Sequence, residues 1–500
     1  MKLTKRIAAF IIAGILLFAA VACAKPETPG ETTTVSANAT SGSSDETTES
    51  LYDADGYLKD KIPADVNYGG ADVSILACQE QAKQFYVDPD AADSGDMLKS
   101  ALFNRIATLE DRLGVKLVFN MENGNWSNRD AFMTKVESSV KDGSGEYDLV
   151  IAYNLNPPVM ATKGLLANLS DAKHLDFSNP WYASDFADTV SIDGKIYFSI
   201  NNSDYGSVRN MACVMFDKTL TGSHSISDAE LYKMVLDQKW TLEELTKLID
   251  GTYEEANGNN TPDYGDIYGL GVVDVARLDS FFYGFGLQII GKQADGSLVM
   301  KLDDEKNQNV LEAINKLLHH NDNVFSPDQS MYAMFKSHQA MFYVTPIAIV
   351  DQKLDFDFGV MPSPKLDADQ NAYRTYISNT HESICIPVGT KTYDMTTDVI
   401  ECFNSEAYRS IAPVYFETML KYRYSSDDSA SQVYDIIRKG VVLDFGYMFG
   451  NSFSNNPFLL FRQKVQADDD SWTTYYSRYA KTFNKELSSI VDALANPAVS

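Results

Sequence analysis

Apolar and polar positions switch between two periods along residues 71–152. Val73-Ser74-Ile75-Leu76-Ala77 is a short apolar run, the length of a buried strand rather than a helix. Leu98, Leu102, Ile106, Leu109 and Leu113 then recur at spacings of 4, 4, 3 and 4, which places them on one stripe of a helix over about 97–113. Gly114 stops that helix, because glycine accepts the left-handed backbone that closes helices. Residues 115–119 predict a second strand, a polar helix follows over about 128–141, and residues 148–152 predict a third strand. Strand, helix, strand, helix, strand implies an α/β fold with a parallel sheet. Ligands of open parallel sheets sit beyond the C-terminal strand ends. Those ends are Cys78-Gln79-Glu80 and Tyr153-Asn154.

Further signals follow along the chain. Ile192-Asp193-Gly194-Lys195-Ile196 reads as a turn between strand-like runs. Thr241-Leu242-Glu243-Glu244 has the spacing of a capping box after Trp240. A last helix over about 471–495 carries Trp472, Tyr476, Tyr479, Phe483, Leu487, Ile490 and Leu494 on one face, a stripe that reads as core.

The first 66 residues follow a different pattern. Lys2, Lys5 and Arg6 precede an apolar stretch over residues 7–22, sixteen residues long and short for a bilayer span. It ends in Ala20-Val21-Ala22-Cys23, the form of a lipoprotein cleavage site. Residues 1–22 are then a signal peptide and Cys23 carries the lipid; an ordinary signal peptide or a short anchor is the alternative. Residues 23–66 form the linker. In residues 31–50, eleven of twenty are Ser or Thr and none is aromatic, so this part cannot bury enough surface to offset its ordering entropy. A flexible tether of roughly 40 residues reaches about 35 Å. The expected location is the outer face of the cell membrane, or the periplasm, held by lipid alone.

Composition narrows the partners. The 500 residues carry a net charge of −27, which becomes −30 once Lys2, Lys5 and Arg6 are removed. A nucleic-acid binder spends Lys and Arg on phosphates, so nucleic acid is excluded as a partner. An aromatic content of 12% marks a globular chain. Five cysteines are too few for a disulfide scaffold. Cys78, Cys213, Cys385 and Cys402 form no CxxC pair and read as buried thiols.

Several segments in order resemble one family. They are Tyr147-Asp148-Leu149-Val150-Ile151, then Gly164-Leu165-Leu166-Ala167-Asn168-Leu169, then Asp193-Gly194-Lys195-Ile196-Tyr197. Met215-Phe216-Asp217-Lys218 follows, with Asp217 where the family has Asn. Phe335-Lys336-Ser337-His338-Gln339-Ala340-Met341 lacks the family's Gly, and Phe358-Gly359-Val360-Met361-Pro362-Ser363-Pro364 completes the set. This order is similar to bacterial extracellular solute-binding family 1, the sugar-type receptors of ABC importers, over about residues 70–495. The resemblance implies a two-lobe type 2 periplasmic-binding fold with hinge-linked lobes and a central cleft. By that analogy lobe one is 67–210 with a second part at 346–390, and lobe two is 211–345. Helices over 391–500 would pack mainly on lobe two. It further implies a monomer that closes on a carbohydrate, an oligosaccharide by preference, and delivers it to a permease.

Sugars need flat apolar faces for their C–H surfaces and planar polar groups for paired hydroxyls. The candidates near strand ends are Gln79, Asn154, and Asn202, Asp204 and Tyr205 after the hairpin. Trp126, Trp181 and Tyr182 are candidate stacking platforms, and Tyr283 and Phe285 candidates for closing over a ligand from lobe two. Asn379, Thr380 and His381 stand where the family has a Gly-rich loop. For each single aromatic, a packed core position is the competing reading.

Glu255, Asn257, Asn259, Thr261, Asp263 and Asp266 fall at the first, third, fifth, seventh, ninth and twelfth places of a twelve-residue loop, the spacing of an EF-hand. Asn260 replaces the sharp-turn Gly and Asp266 the bidentate Glu, so the choice lies between a structural calcium site and a polar surface turn. No other cofactor is indicated. No HExxH, GxSxG or P-loop occurs, which argues against an enzyme. The alternatives are a receptor for peptides or other solutes on the same fold, and a secreted carbohydrate-active hydrolase.

Overall fold

The computed structural model describes residues 50–91, 95–273, 278–327, 331–352, 354–415 and 428–497. The leader, Cys23 and the tether as far as residue 49 lie outside the described residues. The chain divides into an N-terminal unit ending at Leu51, of which only Ser50 and Leu51 are described, and a unit from Tyr52 to Ser500.

The second unit begins as its periodicity predicts, with β1 (Ala71–Cys78), α1 (Met97–Leu113), β2 (Val115–Glu122), α2 (Arg129–Lys141) and β3 (Leu149–Tyr153). Asp96 caps α1 by accepting from the Leu98 and Lys99 amides, and Gly114 ends it at φ 60°. The chain then leaves this layer through α3 (Tyr205–Arg209) into β4 (Ala212–Asp217) and β5 (Tyr268–Val272). Next come α4 (Asp279–Gly284), the hairpin of β6 (Ile290–Lys292) and β7 (Leu298–Met300), α5 (Glu305–His319), β8 (Val324–Phe325), β9 (Ala340–Pro346) and β10 (Phe358–Met361). After β11 (Glu382–Cys385) the chain is helical: α6 (Tyr393–Glu406), α7 (Asp428–Lys439), α8 (Phe445–Met448), α9 (Pro457–Gln466), α10 (Trp472–Tyr476) and α11 (Ala480–Ala495).

The strands form two main sheets. The first has the order β11-β3-β1-β2, with β1 parallel to β2 and β3, and β11 antiparallel to β3. The second has the order β10-β4-β9-β5-β8, with β4 antiparallel to both neighbours and β5 parallel to β8 and β9. Strands as buried as β3, β4, β5 and β9 must be covered on both faces. One core, with Val73, Ile75, Leu113, Ile384, Val399 and Phe403, lies under the first sheet. The larger core includes Leu76 and Val150 from the first sheet and Val214 and Phe342 from the second, with Trp240 and Trp472. The two lobes therefore share apolar packing.

Four expectations are corrected. The linker stops short of residue 66: the folded unit begins at Tyr52, Asp60 is buried against Arg112 and Arg409, and Ile62 lies in the first sheet's core. β10 pairs with β4, so residues 346–361 belong to the second sheet and only the segment around β11 returns to the first. The helix α6 contributes Val399 and Phe403 to the first sheet's core, so not all of residues 391–500 lies with lobe two. The last helix is two, α10 and α11, separated at residues 477–479. Its apolar stripe is nonetheless buried, as Trp472, Tyr476, Phe483, Leu487, Ile490 and Leu494 show. At Thr241 the side chain accepts from the Glu244 amide, one half of the capping box. The complete box is at Ser227 and Glu230. Cys78, Cys213, Cys385 and Cys402 are buried free thiols.

Candidate ligand cleft

The first sheet brings the ends of β1 and β3 and the start of β11 to one edge, since Ala77 pairs with Ile151 and Glu382 with Tyr153. The loops that follow carry polar side chains with little else to satisfy them. Glu80 accepts from the Gly124 amide at 2.9 Å and from Asn128 Nδ2 at 3.2 Å, and Asn156 Nδ2 donates to the Gly124 carbonyl at 2.9 Å. Partial burial works against the charge on Glu80, but the Gly124 N–H holds its carboxyl below the ordinary value. Burial and the neighbouring Glu80 push the Cys78 thiol up to about 12, so it is not a nucleophile. The loop places Trp126 at the surface, 45% exposed, with the Arg129 guanidinium 4.1 Å above its ring. A flat apolar face next to a planar donor is the arrangement a pyranose presents itself to.

A second polar group joins the other lobe to the C-terminal helices. Arg462 of α9 donates to both carboxylate oxygens of Asp279, at 3.0 and 2.5 Å, a bidentate pair in which Asp279 is buried. Tyr376 donates to the same carboxylate at 3.1 Å and hydrogen-bonds the Tyr447 hydroxyl. The Tyr283 ring stacks on Tyr376 at 5.5 Å and 4°. Burial raises the Tyr153 phenol above the ordinary value, and the charges of Arg129 and Arg462 oppose that rise. Tyr447 lies within electrostatic reach of Tyr153 as well.

Acceptors without donors concentrate at this strand edge. Among the buried side-chain atoms with no partner are Gln81 Oε1, Gln84 Oε1, Asn154 Oδ1, Asn156 Oδ1, His381 Nε2 and Glu382 Oε2. Such atoms cost free energy unless water or a ligand supplies the missing hydrogen bond. His381 Nδ1 is bonded to the Ser378 carbonyl, which leaves Nε2 as the bare acceptor. Burial holds its imidazole near 4, so the ring is neutral.

The residues singled out from the sequence fall into two sets. Gln79 is exposed at the end of β1, Trp126 is on the surface beside it, and Asn154 is buried with its amide bonded to the His381 carbonyl. Asn379 is half-buried, Thr380 donates to Asn210 Oδ1 at 2.7 Å, and His381 lies between them and β11. These six lie around the strand edge. The others are corrected. Trp181 and Tyr182 are core residues, with Tyr182 donating to Glu401 and accepting from Asn404. Asn202 is the exception: it is half-buried with its side-chain Oδ1 unpartnered, so its candidacy is not overturned. Asp204 is spent on Arg105 at 2.6 Å, and Tyr205 donates to Asp351. Phe285 is fully buried against Phe281, and Tyr283 lies behind Tyr376. Arg129, Tyr153, Asp279, Tyr376, Tyr447 and Arg462 were not among the candidates. The signal available was modest: Asp279 sits three residues before the Phe282-Tyr283 pair, and Tyr376 in the return segment.

The calcium-like loop uses its oxygens elsewhere. Glu255 accepts from the Gly258 and Asn259 amides, and Asp263 accepts from the Asn257 and Asn259 side-chain amides at 2.7 and 2.6 Å. Asp266 is buried and accepts from the Ala256 and Asp263 amides and Tyr253. The Thr261 amide donates to Asn259 Oδ1. Among the described residues no group of three or more His, Cys, Asp or Glu side chains could hold a metal ion. Nor is any described helix long and apolar enough to cross a membrane.

No family model and no curated protein matches the chain. Solved structures do. A cyclo/maltodextrin-binding protein complexed with maltotetraose is 15% identical, with 85% of this chain and 97% of that one covered and a TM-score of 0.50. An ABC substrate-binding protein from Listeria monocytogenes in complex with cycloalternan is 14% identical over 85% of this chain and 99% of its own, with a TM-score of 0.48. The galacto-N-biose-/lacto-N-biose I-binding protein of Bifidobacterium longum is 12% identical over 86% and 98%, with a TM-score of 0.48. The chain shares the two-lobe α/β fold of the cyclo/maltodextrin-binding protein. The likeness to the cyclo/maltodextrin-binding protein carries that statement, and it concerns the fold alone.

Proposed function

We propose that this chain is the extracellular substrate-binding lipoprotein of an ABC importer, anchored through Cys23, that captures a carbohydrate by closure of its two lobes and hands it to a permease without turnover. One observation carries the reading. Trp126 and Arg129 stack on the loop beyond the ends of β1 and β3, and Tyr153, the last residue of β3, lies within electrostatic reach of Arg129, Arg462 and Tyr447. An apolar ring face, a planar cation and a phenol at one strand edge suit a neutral polyhydroxyl ligand. The fold agrees, since the cyclo/maltodextrin-binding protein that shares it is complexed with maltotetraose. Closure needs no separate engine: a ligand that touches both lobes favours the closed form by its extra contacts there.

The test is a thermal-shift screen of the purified chain against oligosaccharides, polyols and peptides. A ligand at a hundredfold excess over its Kd stabilises by about 2.7 kcal/mol. A shift with oligosaccharides, which are recovered unchanged, supports the reading. A shift with peptides alone overturns the carbohydrate assignment, and consumption of the sugar overturns the receptor assignment. Metabolic labelling with a radioactive fatty acid, absent from a Cys23→Ser variant, tests the anchor.

A further inference from the structure

The chain crosses from the first sheet to the second through α3, and it returns through the segment that enters β11. These two crossings are tied side by side. Asn210 Nδ2 donates to the carbonyls of Gly206 and Thr380, the Thr380 hydroxyl donates back to Asn210 Oδ1, and the Ser378 amide donates to the Asn210 carbonyl. Gln84 Nε2 donates to the same Thr380 carbonyl at 2.8 Å, which fixes the orientation of its amide and turns Oε1 away.

That Oε1 and Glu382 Oε2 form an anomaly. Both are buried, both lack a partner, and a Cβ on Gly206 would overlap both. Two acceptors are thus packed against the same point of α3 with no donor between them. Only glycine lets them come so close to the helix backbone. A carboxylate facing an amide oxygen in a dry site is unfavourable on both counts, whereas a carboxylic acid in the same place is a donor. We infer that Glu382 is carried protonated in this joint, its hydroxyl donating to Gln84 Oε1, and that losing this proton loosens the tie between the two crossings.

The charges around Glu382 agree. Asp204 faces it from the turn before α3, Arg105 from α1 and Arg209 from α3. Arg105 is held by Asp204 at 2.6 Å and Arg209 by Asp351 at 3.1 Å, so each cation already has a carboxylate partner. The adjacent His381 is neutral. Burial, with Asp204 adding to it, raises the Glu382 carboxyl to about 8. The proton released on ionisation goes to solvent. Because the folded value lies above the unfolded one, the stability this acid contributes is full at low pH and is lost as pH rises through about 8.

The test uses the full chain and Glu382→Gln, which keeps a donor towards Gln84 but cannot ionise. Melting is followed between about pH 6 and pH 9, and difference infrared spectra over the same range report protonated carboxyl groups. Glu401, also raised to about 8 by burial, contributes its own band, so the comparison with Glu382→Gln isolates one acid. The expected result is one carboxylic C=O band lost with rising pH in the parent and missing from the variant. The parent's unfolding constant should also rise up to tenfold more per pH unit than the variant's. Should Glu382→Gln not fold, the band is read in Gln84→Leu, where loss of the acceptor should shift it to higher frequency. Identical bands and identical pH profiles in parent and variant overturn the proposal, whatever ligand the cleft takes.

Discussion

Replacing Asp204 by Asn separates structure from recognition at the lobe crossing. Arg105 has no exposed side-chain surface, and its guanidinium is held by Asp204 at 2.6 Å, by the Phe85 carbonyl at 3.0 Å, and over the Phe403 ring at 3.7 Å. Removing the acid leaves a buried cation without a counter-charge, a change that costs about 3–5 kcal/mol. Asn keeps the cap on the Tyr205 amide, so that loss is not added. For a unit of roughly 450 residues, an unfolding entropy of about 2.1 cal/mol/K per residue turns this into a drop of about 3–5 °C in Tm. Glu382 should soften it. With Asp204 gone, one influence that keeps Glu382 protonated is gone, and Arg105 gains a carboxylate to pair with. The loss should therefore be smaller above about pH 7 than at pH 5, and Glu382→Gln should remove that recovery. Scanning calorimetry of the three variants at two pH values is the assay. A change in Tm below 1 °C, with loss of ligand affinity instead, would refute the ion-pair assignment and return Asp204 to the ligand site.

Other substitutions probe the cleft and the frame. Arg129→Ala touches a partly exposed side chain stacked on Trp126, so calorimetric titration should show affinity falling about tenfold, near 1.4 kcal/mol, with Tm nearly unchanged. Gly206→Ala should destabilise the chain in thermal melts, because its methyl would overlap Glu382 and Gln84. His338, at φ 58°, pairs with buried Asp217 at 2.5 Å, so a double-mutant cycle of His338→Gly with Asp217→Asn should give a coupling of about 0.5–3 kcal/mol, and additive effects would contradict the pairing. Millimolar calcium should leave Tm unchanged, because the carboxylates at positions 255, 263 and 266 already accept hydrogen bonds; a rise abolished by Asp263→Ala would restore the metal reading.

Three strands of the first sheet were legible because their order is local, whereas β11 joins it from residue 382. Leu98, Leu102, Leu109 and Leu113 state a helix by spacing alone, and β1, β2 and β3 alternate with helices within about eighty residues. Position relative to those strand ends then points to Gln79 and Asn154. The rest of the cleft depends on long-range topology. Asp279 and Arg462 are 183 residues apart, and no local period links either to Tyr153. Aromatics were ambiguous for another reason. Trp126 and Trp181 both sit in polar loops, yet one is 45% exposed and the other has no exposed surface. The two departures from the family pattern at Asp217 and His338 looked unrelated in sequence, and the structure shows them in contact. His338 occupies the left-handed backbone that a glycine would take, and its ring gains a buried partner there.

The central claim is a carbohydrate bound at the strand edge around Tyr153 and the Trp126-Arg129 stack. Isothermal titration of the purified chain with oligosaccharides, repeated with Tyr153→Phe and Arg129→Ala, tests it most directly. The account predicts saturable one-to-one binding by an unmodified sugar that both substitutions weaken about tenfold or more. Sugar binding that neither substitution changes, or binding of peptides with no sugar bound, would contradict it.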